Sequence, residues 1–224
     1  MDVQQNIPAE VKATKQPKFL RVLATIVSYI FHPVLMPTVI AFILYKLAPT
    51  DFAGISPHDF GLDMFRIAYI TFFFPTLTTL LLKALGFIQS IHMHTSQDRI
   101  IPLIATMIFY FWVIRVFNYI TPPSPFMLKV LLLGSFLGVI ALFMVNIFFK
   151  ISMHTCGAGG LVGIFIILMI YSPVNMLLPL LGSIILAGIV GSARMILGVH
   201  KRAEVWAGYI VGIFVMFVAY WYLK

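Results

Sequence analysis

Apolar runs near or above the roughly 20 residues that a helix needs to cross a bilayer recur along this chain, separated by loops too short to fold alone. They fall at 20–47, 65–87, 100–120, 126–149, roughly 157–171, 174–193 and 203–223. Lipid offers no hydrogen bonds, so each run must satisfy its own backbone, which a helix does. The expected fold class is therefore all-α, a polytopic transmembrane bundle of about six to seven helices. One domain is expected over 20–224, after a polar, basic segment at 1–19. Only 10% of the residues are charged and 61% are hydrophobic, against about 25% charged in soluble domains, so water is not the solvent on all sides. Pro33 and Pro37 lie inside the first run. Their missing donors predict a kink or a break and make that run the least secure crossing. Residues 121–125, TPPSP, read as a tight helical-hairpin turn.

The net charge of +8 does not point to nucleic acid, because the basic residues are dispersed at helix ends and no soluble face exists to gather them into a stripe. Anionic headgroups and the positive-inside effect account for them. Lys12, Lys15 and Lys18 precede the first run, so the N-terminus is expected on the cytoplasmic side, in a multi-pass protein of a bacterial inner membrane. That run has no small-residue cleavage signature and is too long for a signal core, and is expected to be retained. The single cysteine, Cys156, rules out an internal disulfide framework and reads as a small packing residue. No repeat, low-complexity segment or heptad pattern is present.

Ionisable residues are costly in a membrane domain, so their placement is informative. They gather in three stretches: His92-Met-His94-Thr-Ser-Gln-Asp98-Arg99-Ile-Ile-Pro102, then Lys150-Ile-Ser152-Met-His154-Thr155-Cys-Gly157, then Ser192-Ala-Arg194-Met-Ile-Leu-Gly198-Val-His200-Lys201-Arg202-Ala-Glu204. Two spans separate each stretch from the next, so all three return to one membrane face and can converge there.

Within the third stretch, Gly198 permits a turn that lets Arg194 close one helix while His200 opens the next. Glu204 lies four residues beyond His200, on the same face if the last helix starts there, and could fix the imidazole's tautomer. Ser152 and His154 precede a Gly- and Ala-rich helix start, where free backbone N–H groups and the positive end of the helix dipole favour an anion. Arg99 and Arg194 supply planar forks suited to phosphate oxygens.

The third stretch resembles the type 2 phosphatidic acid phosphatases, whose pattern runs Lys, six residues, Arg-Pro; Pro-Ser-Gly-His; and Ser-Arg, five residues, His, three residues, Asp. Ala193-Arg194, His200 and Glu204 keep the last element's spacing, and Ser152-Met153-His154 resembles the core of the second. Arg99 lies where the first arginine belongs, with His92 at the lysine position and Pro102 three residues on. Met153 stands for the glycine, Ile151 for the proline, Ala193 for the serine and Glu204 for the aspartate. The similarity covers about 91–212.

The resemblance implies a lipid phosphatase that needs no metal or other cofactor. His200 would attack phosphorus, His154 would protonate the leaving oxygen, and Glu204 would orient His200. Arg99, Arg194, Ser152 and His92 would hold the phosphate. The partners it implies are a phosphorylated lipid and the bilayer. A lipid phosphotransferase and a non-catalytic lipid-binding or transport protein are the alternatives.

Outside this constellation, His32 and His58 read as interfacial polar residues, and Arg115 and Asn118 as residues that reach the interface from a span. His92 and His94 are accompanied by no compact carboxylate or cysteine set that would make a metal site.

Overall fold

The computed structural model describes residues 16–88, 97–121 and 123–224. Their helices are α1 (Lys18–Ile30), α2 (Met36–Leu47), α3 (Pro57–Ala68), α4 (Phe74–Ala84), α5 (Ile100–Tyr119), α6 (Phe126–Phe148), α7 (Met153–Tyr171), α8 (Leu177–Ile196) and α9 (Arg202–Leu223). No strand occurs among the described residues. A π-turn at Tyr69–Phe73 carries α3 into α4 past Pro75, which lacks a donor. Counting that rod, six helices are long and apolar enough to cross a membrane: Pro57–Ala84 and α5 to α9. Large apolar side chains point outward from the bundle, Phe148 being 81% exposed and Leu178 80%. Such exposure is unfavourable in water and ordinary in lipid.

The first apolar run is not one span. Pro33 lies where the helix stops, and the backbone turns through Leu35 N–H to His32 O (2.8 Å) and Met36 N–H to Pro33 O (3.2 Å). Pro37 causes no break, since it occupies the first turn of α2, where no amide donor is required. The resulting elbow, residues 31–35, lies at the same end of the bundle as the start of α7, with Met36 packed against Gly157. From there α2 runs toward the opposite end, where Leu47 lines a cavity together with Leu178 and Pro179 at the start of α8.

The helix α7 is central: 72% of its apolar window is buried, against 22–44% for the other spans. Its sequence permits this because Gly159 and Gly163 face α9, whose own Gly208 and Gly212 face α7. A Cβ on Gly159 would sit 2.5 Å from the Tyr209 carbonyl oxygen, and one on Gly163 would sit 3.1 Å from Ile213 Cα. On the other side, a Cβ on Gly208 would fall on Thr155 Oγ1 and one on Gly212 on the Cys156 carbonyl. Backbone thus packs on backbone, the arrangement by which membrane helices associate without a hydrophobic driving force. At the α5–α6 turn, Ser124 donates its hydroxyl to the Phe117 carbonyl (3.1 Å), closing the hairpin as its composition suggested.

Gly212→Leu should destabilise the fold by about 1–3 kcal/mol or more, since backbone rather than a flexible side chain stands in the way. Gly188→Ala, where a methyl meets nothing within 4 Å, should be neutral or stabilising by up to about 1 kcal/mol. Thermal unfolding in nanodiscs distinguishes them, and equal melting points for the two variants would contradict this account of the α7–α9 contact.

Candidate phosphate-handling site

Backbone and side-chain hydrogen bonds tie the three ionisable stretches together ahead of α7. Arg99 Nη1 donates to the Ile151 carbonyl (3.3 Å), Lys150 Nζ to the Val199 carbonyl (3.0 Å), and Ser152 N–H to the Glu204 carbonyl (3.2 Å). The short segment 150–152 is therefore fastened to the start of α5 and to the α8–α9 turn. Ser152 caps α7 by accepting from Thr155 N–H (3.4 Å), and α7 begins at Met153, earlier than the expected start near residue 157. His154 accordingly lies inside the first turn and not ahead of it.

Gly198 makes the α8–α9 turn, with φ of +69°, a conformation glycine adopts without a Cβ penalty. Arg194 lies in the last turn of α8, as expected. The helix α9 starts at Arg202, so His200 stands just before it, yet its Nδ1 lies 2.6 Å from Glu204 Oε2. The His200 side chain is only 3% exposed. A carboxylate accepts, so Nδ1 carries the proton and Nε2 keeps its lone pair. Burial lowers the His200 pKa, and the Arg194 and Lys150 charges lower it further; Glu204 opposes them. The result is a neutral, oriented imidazole at neutral pH.

Arg99 is buried, and the Glu204 and Asp98 charges oppose the downward pull of burial on its pKa. Arginine stays charged in such a setting. Arg194 lies near enough to act electrostatically on Arg99 and His200. It has no carboxylate within ion-pair distance among the described residues, and its buried Nε has no hydrogen-bond partner there. Two guanidinium groups and Lys150 thus converge where Glu204 and Asp98 supply the nearby negative charge. An arrangement of this kind attracts a multiply charged anion.

Of the residues expected from sequence, Ser152, His154, Arg194, His200 and Glu204 come together with Arg99. His92 lies outside the described residues, as does His94. His32, exposed just past the end of α1 as an interfacial residue would be, also meets His154, the two rings lying edge-on at 5.5 Å between centroids. Ser28 was also missed. Its carbonyl faces His154 Nε2 (3.1 Å), and its hydroxyl accepts from Arg194 Nη1 (3.0 Å). Lys150 had been noted only as part of its stretch. The sequence signal at His32 is His-Pro inside an apolar run, a polar residue where a helix must break; Ser28 carries no such signal. No group of three or more histidine, cysteine or acidic residues positioned to hold a metal occurs among the described residues.

Compared with models of known protein families, with curated proteins and with solved structures, the chain matches none.

His200 should remain neutral at pH 6, where an ordinary histidine is largely protonated, as read by ring nitrogen shifts of labelled protein in nanodiscs. The sign for stability follows. The unfolded chain takes up this proton near 6.5 and the folded chain only toward about 4, so His200 costs the folded state stability as pH falls through that interval. Glu204→Gln removes the group that favours the charged form and should lower the His200 pKa further. A rise on that substitution would contradict the assignment of Glu204 as its partner.

Proposed function

We propose that this chain is a membrane phosphatase that removes phosphate from a phosphorylated lipid through a phosphohistidine on His200. The observation that carries the reading is the buried His200 side chain, held at Nδ1 by Glu204 with Nε2 free, in reach of the Arg194 and Lys150 charges, with Arg99 beside Glu204 and Arg194. The Nε2 lone pair attacks phosphorus while the bond to the leaving oxygen breaks, and the leaving alkoxide takes a proton from His154. The Ser28 carbonyl accepts His154 Nε2–H, so the proton passes through Nδ1, which takes it from the phosphate monoanion of the substrate before giving it to the leaving oxygen. Water then attacks phosphorus as the P–N bond breaks, and its proton passes through His154 Nδ1 to the phosphate released. The balance is ester plus water to alcohol plus phosphate, with both histidines restored. Arg99 and Arg194 stabilise charge on the phosphoryl oxygens in each step.

A lipid substrate is favoured by the site's place at the ends of membrane-spanning helices, near headgroup level. Between α2, α7 and α8 lies a cavity of about 410 Å³, lined by Ile43, Leu161, Phe165 and Leu186 among others. Arg194 and Leu186 are eight residues apart on α8, about 12 Å along a helix, which is within the length of an ordinary acyl or isoprenoid tail. Within this proposal, the N-terminal lysines place the start of the chain in the cytoplasm of a bacterium, with the bundle in the inner membrane. An alcohol in place of water would make the protein a phosphotransferase by the same steps.

Purified protein in nanodiscs, offered phosphatidic acid, phosphatidylglycerol phosphate and isoprenoid phosphates, should release phosphate from at least one. His200→Ala and His154→Ala should each lower the rate by about 10²-fold or more, and Arg194→Ala by about 10²- to 10³-fold. Folded wild type that releases no phosphate from any of them, with or without an added alcohol, points instead to a lipid-binding or transport protein.

A further inference from the structure

The end of α1 and the elbow after it lie more than a hundred residues from the nearest of the other site segments they touch, yet Ser28 on α1 makes polar contacts with two of them. Ser28 is buried, 8% exposed, although a serine in the last turn of an apolar helix has no local need to be. It uses both of its oxygens: the carbonyl accepts from His154 and the hydroxyl from Arg194. One turn later, His32 lies against the His154 ring.

We propose that Ser28 and His32 are positioning residues of the anion site, Ser28 fixing where Arg194 points and which nitrogen of His154 is free, and His32 bracing the His154 ring. The geometry gives each contact a distinct effect. A backbone carbonyl can only accept, so His154 is kept as the Nε2–H tautomer with Nδ1 unprotonated. Arg194 has five donors on a flexible stem. Fixing Nη1 on Ser28 limits the guanidinium's orientations, so less order is lost when an anion binds. His200 is tethered through the opposite nitrogen, Nδ1. The two histidines consequently present different nitrogens, Nε2 of His200 and Nδ1 of His154, and the elbow is responsible for the second. The role rests on the phosphate reading only for the identity of the anion.

The test uses the full chain in nanodiscs, with inorganic phosphate as the probe and ring-nitrogen-labelled histidine as the second readout. Ser28→Ala should weaken phosphate binding about 3- to 10-fold, with Ser28→Thr near wild type because the hydroxyl is kept, and with melting points unchanged. His32→Ala should shift the His154 ring signals, which in wild type report a neutral Nε2–H imidazole. Wild-type phosphate affinity in Ser28→Ala together with unmoved His154 signals in His32→Ala would overturn the proposal. If wild type itself binds no phosphate, the phosphate reading fails. The His154 signals then decide the elbow's role alone: moved, it stands; unmoved, it falls.

Discussion

The glycine contact between α7 and α9 fixes the distance on which the rest of the site depends. Gly159 and Gly163 meet the backbone of Tyr209 and Ile213, while Gly208 and Gly212 meet that of Ser152, Cys156 and Gly160. Any side chain larger than hydrogen at these points would hold the helices apart. Because the first turns of both helices lie at one end of this contact, it also sets how the start of α7 meets the start of α9. The Ser152 N–H to Glu204 carbonyl bond closes the same seam at its outer edge. A few ångströms of separation there would disconnect the capped start of α7 from the turn that carries His200.

Charge explains why the site occupies helix ends and not the middle of the bundle. A guanidinium at mid-membrane would have to recruit its own water or counter-ion. At the ends, Arg99 and Lys150 find backbone carbonyls of Ile151 and Val199, and Arg194 finds a hydroxyl. These acceptors are neutral, while Glu204 and Asp98 supply the negative charge near Arg99. The Arg194 and Lys150 charges help keep His200 neutral.

Much of this was legible in the sequence, and the reasons are specific. Spans longer than the bilayer core announce themselves by length, and the five residues between Arg194 and His200, with Gly198 among them, encode a turn that local geometry nearly dictates. The i, i+4 relation of His200 and Glu204 came through even though the helix starts two residues later than that spacing assumes, because a side chain can bridge such an offset. The Gly-x-x-x-Gly pairs at 159–163 and 208–212 were readable signals of close helix approach, although nothing local says that they face each other. Ser28 and His32 were not legible as site residues. Their roles depend on α1 lying against α8 and on the chain reversing at Pro33, which are tertiary facts that no spacing encodes.

The elbow also bears on the places where the chain departs from the phosphatase pattern it resembles. That pattern has a hydroxyl beside the arginine; here Ala193, itself 3% exposed, has none, and Ser28 brings a hydroxyl to Arg194 from another helix. Where the pattern has proline, Ile151 is buried and its carbonyl receives Arg99. Where it has glycine, Met153 packs against the apolar clusters formed by Leu103, Tyr110 and Val139 and by Leu142, Ile151 and Cys156. Each of these three departures has a physical counterpart nearby. Under the proposed function, a bound anion would help offset the desolvation cost of the Arg194 Nε, which has no partner among the described residues, while His200 is already held 2.6 Å from Glu204.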